Sequence, residues 1–214
     1  MAGPRIALIH ALKHSPPPIE AAFAASWPEV QLMNLLDDSL SADLARDGAL
    51  TEAMTQRFVQ LGRYAASTGA DAILFTCSAF GPCIEAVARD QRIPVLKPNE
   101  AMIEEAVASG GTVGLMATFA PTLASMPAEF PSNVRIKPCL IEGALAALDR
   151  GDVDTHDWLA GRAAEAVKDC DVIALAQFSL ARSAPLVAQA TGKRVLTTPD
   201  SAVRKLKSLL QRPR

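Results

Sequence analysis

Short runs of Ile, Val, Leu and Ala, two to six residues long, alternate along this chain with longer stretches in which apolar residues recur at helical spacing. The runs predict strands over 5–10, 30–34, 72–76, 95–96, 112–117, 134–138, 172–176 and 195–197. Between them the 3.6-residue period predicts helices over 19–26, 50–68, 82–90, 99–109, 120–126, 142–150, 154–168, 184–190 and 200–210. Strands apolar on both faces and separated by helices are the signature of buried parallel strands in an α/β layered fold. Turn residues mark the boundaries. Gly69 follows the long second helix as a C-terminal cap, and Pro82 sits where a first helical turn tolerates proline. The prolines between Ser15 and Pro18 are expected to break the chain after the first strand, and Asn99 and Asp200 read as helix N-caps.

The pattern also repeats. Asp71-Ala-Ile-Leu-Phe-Thr-Cys77 matches Asp171-Val-Ile-Ala-Leu-Ala-Gln177 one hundred residues later, and each is followed by a turn containing serine (Ser78, Ser179). Pro94-Val-Leu-Lys-Pro-Asn99 pairs with the segment from Arg194 to Asp200, and Ile6-Ala-Leu-Ile-His-Ala11 with Val113-Gly-Leu-Met-Ala-Thr118. A duplicated order of strands predicts an α/β fold of two pseudo-symmetric lobes, each a mainly parallel sheet flanked by helices. Ligands in open α/β sheets bind beyond the carboxyl ends of the strands. An active-site cleft between facing lobes would therefore gather His10, Cys77, Thr118 and Gln177.

Composition narrows the class. The chain has 214 residues, half of them hydrophobic, with 21 Lys+Arg against 23 Asp+Glu for a net charge of −2. That suits a packed globule and supplies no electrostatic footprint for nucleic acid or an anionic membrane. The basic segment from Arg204 to Arg214 reads as an amphipathic last helix with a frayed end. The first apolar run is too short to span a bilayer and contains His10, so a cytoplasmic protein with a small-molecule partner is expected. Four cysteines (Cys77, Cys83, Cys139, Cys170) do not suggest a disulfide framework. No dinucleotide fingerprint, P-loop, nucleophile elbow or zinc-protease motif is present, and no cofactor or metal site is expected. His10 and His14 are four apart, but the prolines that follow argue against a helical metal pair, and His156, in an acidic helix start, is expected at the surface.

Cys77 stands out because it ends an apolar strand and precedes a helix opened by Pro82. Backbone N–H groups and the positive helix end would there favour a thiolate. Cys83, Cys139 and Cys170 hold no such position and read as buried packing residues.

With these residues in place, the chain resembles the aspartate/glutamate/hydantoin racemase superfamily, which also includes maleate isomerase and arylmalonate decarboxylase. The resemblance rests on the strand ending at His10, the Thr76-Cys77-Ser78 turn, Gly114-Leu-Met-Ala-Thr118 and Leu175-Ala-Gln177-Phe-Ser179. It implies two lobes, residues 1–98 with 200–214 and residues 99–199, and thiol chemistry without a cofactor. It makes Cys77 the catalytic thiol of the first lobe, Ser78 a neighbour that helps bind a carboxylate, and Thr118 a carboxylate-binding residue of the second. His10, Thr76, Ala79, Phe119, Gln177, Phe178 and Ser179 complete the expected substrate-binding set. A small carboxylate substrate and a homodimer follow from the same likeness.

Gln177 departs from the family pattern, since it stands where a second cysteine belongs. Racemisation by two bases needs two titrating groups, and an amide does not titrate near neutrality. Proton transfer by one thiol at the carbon alpha to a carboxylate remains, as racemase, isomerase or decarboxylase chemistry, with His10 a candidate for the missing acid/base. The alternatives are a noncatalytic carboxylate-binding protein and a hydrolase with Cys77 as nucleophile and His10 as base. Phe80, Phe119 and Phe178 beside the proposed turns hint at a more apolar substrate than aspartate.

Overall fold

The computed structural model describes residues 3–211. The chain divides into two compact units: one runs to Pro98 and takes up the chain again from Ala202, and the other is Asn99–Ser201. The first contains β1 (Arg5–His10), α1 (Pro16–Ser26), β2 (Gln31–Leu36), α2 (Ser39–Asp47), α3 (Glu52–Ser67), β3 (Ala72–Phe75), α4 (Gly81–Asp90) and β4 (Val95–Leu96). Its sheet is all parallel in the order β2-β1-β3-β4. The second contains α5 (Glu100–Ser109), β5 (Thr112–Ala117), α6 (Ala120–Ser125), β6 (Arg135–Leu140), α7 (Ala144–Asp149), α8 (Val153–Ala163), β7 (Val172–Leu175), α9 (Ala184–Thr191) and β8 (Arg194–Thr197). Its sheet is again parallel, in the order β6-β5-β7-β8. The last helix, α10 (Thr198–Gln211), begins in the second unit and ends in the first. The expected end of the basic tail, residues 212–214, lies outside the described residues.

The central strands β1, β3, β5 and β7 are buried almost throughout, whereas the edge strands β2 and β6 are partly exposed. The repeated aspartates have one job in both units. Asp71 Oδ2 accepts the backbone N–H of Arg5 at 2.8 Å, and Asp171 Oδ2 accepts that of Thr112 at 2.6 Å. Each carboxylate thus satisfies the first donor of the neighbouring central strand and sets where that strand begins. Gly111 is needed beside it: its φ is +77°, and a Cβ there would lie 2.1 Å from Asp171 Oδ2.

Three local expectations are corrected. The prolines after β1 open α1 instead of breaking the chain, because the first helical N–H groups have no intrahelical partner for proline to lose. Asp200 lies inside α10, which starts two residues earlier, and its carboxylate accepts the Thr197 hydroxyl. A helix absent from the periodicity, α2, follows β2; only Leu40 is buried on it, and Arg57 on α3 anchors it through Asp37 and Asp43.

Candidate functional site

At the carboxyl ends of the first sheet, β1 delivers His10 and β3 delivers Thr76 and Cys77. The chain stays extended through Cys77 (φ −124°, ψ 121°), then tightens into a 3₁₀ turn over Ser78–Phe80 that leads into α4. Cys77 is half-buried, Ser78 and Ala79 are exposed, and Phe80 is fully buried against Phe58. Phe80 is therefore a core residue. His10, Ala11, Phe58, Phe75 and Cys77 line one narrow indentation of this unit.

His10 is completely buried and both ring nitrogens are engaged. Its Nε2 faces Asn34 Oδ1 at 2.9 Å and its Nδ1 faces Thr76 Oγ1 at 2.8 Å. Asn34 Nδ2 donates to Glu20 Oε1 at 2.6 Å, which turns the amide oxygen toward the ring. An oxygen there requires the proton on Nε2, so in the neutral ring Nδ1 accepts the Thr76 hydroxyl. Burial lowers the His10 pKa from its ordinary value; the Asn34 bond and the Glu20 charge oppose this without reversing it. His10 is thus a neutral strut behind Cys77, not an exposed acid/base. Asn34 and Glu20 were missed in the sequence, where the only signal was a polar residue interrupting the apolar run of β2.

The Cys77 thiol also differs from expectation. Burial pushes its pKa up, and the bond from the Ala79 N–H only partly offsets this. The helix proper starts at Gly81, so the positive end of α4 is too far along the chain to dominate. The group is a thiol at neutral pH rather than a thiolate. Cys83, Cys139 and Cys170 are free and buried.

The second unit repeats this layout with different chemistry. β5 ends at Ala117 and is followed by Thr118; β7 is followed by Ala176 and Gln177. Gln177 is extended (φ −143°, ψ 144°) and precedes a 3₁₀ turn over Phe178–Ser183, as Cys77 does in its own unit. Its Oε1 accepts the Thr118 backbone N–H at 2.6 Å and the Thr118 hydroxyl at 2.9 Å. Phe178 is nearly buried, Ser179 is half-buried and Phe119 is 48% exposed. Phe119 alone of the three noted phenylalanines offers an open apolar face.

At the far end of the turn that follows Gln177, a polar cluster corrects the placement of His156, which is fully buried. Asp157 accepts Ser183 Oγ at 2.6 Å, Arg182 Nε at 2.8 Å and His156 Nδ1 at 2.9 Å. Burial works to raise the Asp157 pKa, but the Ser183, Arg182 and His156 bonds outweigh it and hold the carboxyl below its usual range. Ser183 and Asp157 meet the same ring nitrogen, while His156 Nε2 is buried without a partner. A relay from nucleophile to base to carboxylate needs both nitrogens, so this cluster is an anchor for the turn, not a triad. Asn99 precedes α5 without a side-chain cap bond, and its Nδ2 is buried and unpartnered. Among the described residues no three of His, Cys, Asp and Glu gather as metal ligands, and no helix is long and apolar enough to cross a membrane.

Comparison with known proteins agrees with the fold. An unliganded arylmalonate decarboxylase is 19% identical, with a TM-score of 0.71 over 99% of this chain and 94% of that one. Allantoin racemase from Klebsiella pneumoniae is 18% identical, with a TM-score of 0.74 over 97% and 88%. An aspartate racemase homologue from Pyrococcus horikoshii OT3 is 16% identical, with a TM-score of 0.75 over 99% and 100%. At such identities these likenesses establish the fold alone. No curated protein sequence matches the chain. The family model described as Asp/Glu/Hydantoin racemase matches residues 18–206, nearly the whole chain, and to that enzyme family the chain belongs.

Proposed function

We propose that this protein, without a cofactor, transfers a proton at the carbon alpha to a carboxylate of a small acid, and that Cys77 is the proton donor. The observation that carries the reading is the contrast between two equivalent strand ends. Cys77 titrates, while Gln177, at the matching place after β7, does not. Proton delivery from one side only suits decarboxylation or isomerisation better than racemisation by two bases. In decarboxylation, the bond to the departing carboxylate breaks and its electron pair remains on the alpha carbon as an enediolate. The Cys77 S–H then gives its proton to that carbon. A thiol whose pKa burial has raised holds the proton until such a carbanion forms. The exposed Ser78 hydroxyl lies within the same turn and is suited to stabilising the developing oxyanion.

The test is solvent deuterium incorporation at the alpha carbon of L-aspartate, L-glutamate and the product formed from phenylmalonate, followed in the native protein, Cys77→Ala and Cys77→Ser. One member of the panel should acquire deuterium, and both variants should lose about a thousandfold in rate, the middle of the range for general acid catalysis. Equal incorporation in all three proteins removes Cys77 from the mechanism.

A further inference from the structure

The Thr118–Gln177 pair carries an inference of its own. Thr118 has two donors at the carboxyl end of β5, and both are spent on one oxygen of this chain, Gln177 Oε1. The backbone N–H can only donate, so the amide orientation is settled: the oxygen faces Thr118 and the nitrogen faces away. Two hydrogen bonds fill the two lone pairs of that oxygen. What Gln177 retains is its Nε2, which donates to none of the described residues and is not among the sealed polar atoms. Its residue is half-buried, so the NH₂ is accessible yet fixed. The corresponding positions of the first unit are Ala11 and Cys77, which line one indentation with no such donor pair.

We propose that Gln177 is the ligand-binding group of the second unit, presenting two fixed N–H donors to an anionic carboxylate or enediolate oxygen, and that Thr118 positions it without touching the ligand. A free glutamine side chain must be ordered when it binds, and a swivelling amide can offer oxygen or nitrogen. The two Thr118 bonds remove both costs before the ligand arrives. They also make the site selective. An acceptor is welcomed, while a donor such as an ammonium group finds no lone pair left. Thr118 accordingly cannot serve a substrate carboxylate directly unless Gln177 is displaced. The inference rests on the preceding reading only for the class of ligand.

Malonate is a sufficient test ligand, since it carries the carboxylate without requiring turnover. It is titrated into ¹⁵N-labelled native protein, Gln177→Glu and Gln177→Ala, with the Gln177 side-chain NH₂ and the Thr118 backbone N–H followed by NMR. In the native protein the NH₂ resonances should move with malonate while the Thr118 N–H stays in place. Gln177→Glu keeps an acceptor for Thr118 but has no donor, so malonate affinity should fall about tenfold or more, the usual loss for a hydrogen bond to a charged group. In Gln177→Ala the freed Thr118 N–H should become the responding resonance. Any of three results overturns the proposal: a Thr118 shift exceeding that of the Gln177 amide in native protein, undiminished affinity in Gln177→Glu, or a Gln177 amide that ignores malonate to 100 mM. The titration repeated in Cys77→Ala separates the two readings. Binding there should persist, whereas deuterium exchange alone decides the role of Cys77.

Discussion

His10 makes the sharpest physical prediction, because its neutrality links stability to pH. In the folded protein its pKa lies below the ordinary value of 6.5, with burial the largest cause. The unfolded chain therefore binds a proton at His10 more readily than the folded one. Stability rises with pH wherever the unfolded state binds more protons, so the His10 contribution is whole above about pH 6.5 and is lost as pH falls from there toward the folded value. For each pH unit over which the unfolded chain alone carries this proton, linkage sets the loss at about 1.4 kcal/mol. His10→Gln keeps one donor and one acceptor for Asn34 and Thr76 but cannot titrate. Urea unfolding at half-unit steps of pH should give the native protein the steeper decline, and the difference between the two slopes isolates His10 from other groups. Carboxylates with lowered values, such as Asp37, Asp90 and Asp157, lose their contribution in more acidic solution and stay outside this window. Parallel declines in the two proteins would refute the neutral, hydrogen-bonded histidine.

Two further outcomes test packing and the thiol. Gly62 is the close contact between α3 and α4, where a Cβ would stand 2.4 Å from Val87 Cγ1. Gly62→Val should lower stability by about 1–3 kcal/mol through overpacking, measured by chemical denaturation, and adding Val87→Ala should recover part of the loss. Carbamidomethylation of Cys77, mapped by mass spectrometry, should run slower than that of the same residue in urea-unfolded protein at pH 7.5. Its rate should still be climbing above pH 9.0, the ordinary thiol value. A Cys77 that reacts faster when folded would mean that the turn stabilises a thiolate after all.

Much of the fold was legible because its signal is local. Buried central strands leave unbroken apolar runs, and the paired segments ending at Cys77 and Gln177 place equivalent strands in both sheets. What escaped depends on partners far apart in the chain. α2 has one buried residue, and the ion pairs from Arg57 that hold it come from a different helix. His10 was picked out by position, but its state is decided by Asn34 and Glu20, contributed by β2 and α1. His156 looked solvated because its neighbours in sequence are acidic. One of them, Asp157, is the residue that accepts its ring N–H in the interior. The Cys77 turn was recognisable, yet the balance between burial and helix end depends on where the helix begins, and that is a matter of a few ångströms.

The two units are alike at one edge of their sheets and unlike at the other. At the amino edge Asp71 and Asp171 perform the same capping of Arg5 and Thr112, so the shared framework is a property of the duplicated pattern itself. At the carboxyl edge the equivalent pairs diverge: Ala11 with Cys77 is apolar and titratable, Thr118 with Gln177 is polar and cannot titrate. A framework that tolerates such different pairs does not require either of them for folding. Gln177→Cys makes the point testable. It should lower the free energy of unfolding by no more than about 1–3 kcal/mol and leave the protein folded, since the two Thr118 donors lose their shared acceptor at a part-buried edge. If instead the protein unfolds, Gln177 is part of the scaffold, and the division between a shared amino edge and a chemically specialised carboxyl edge fails.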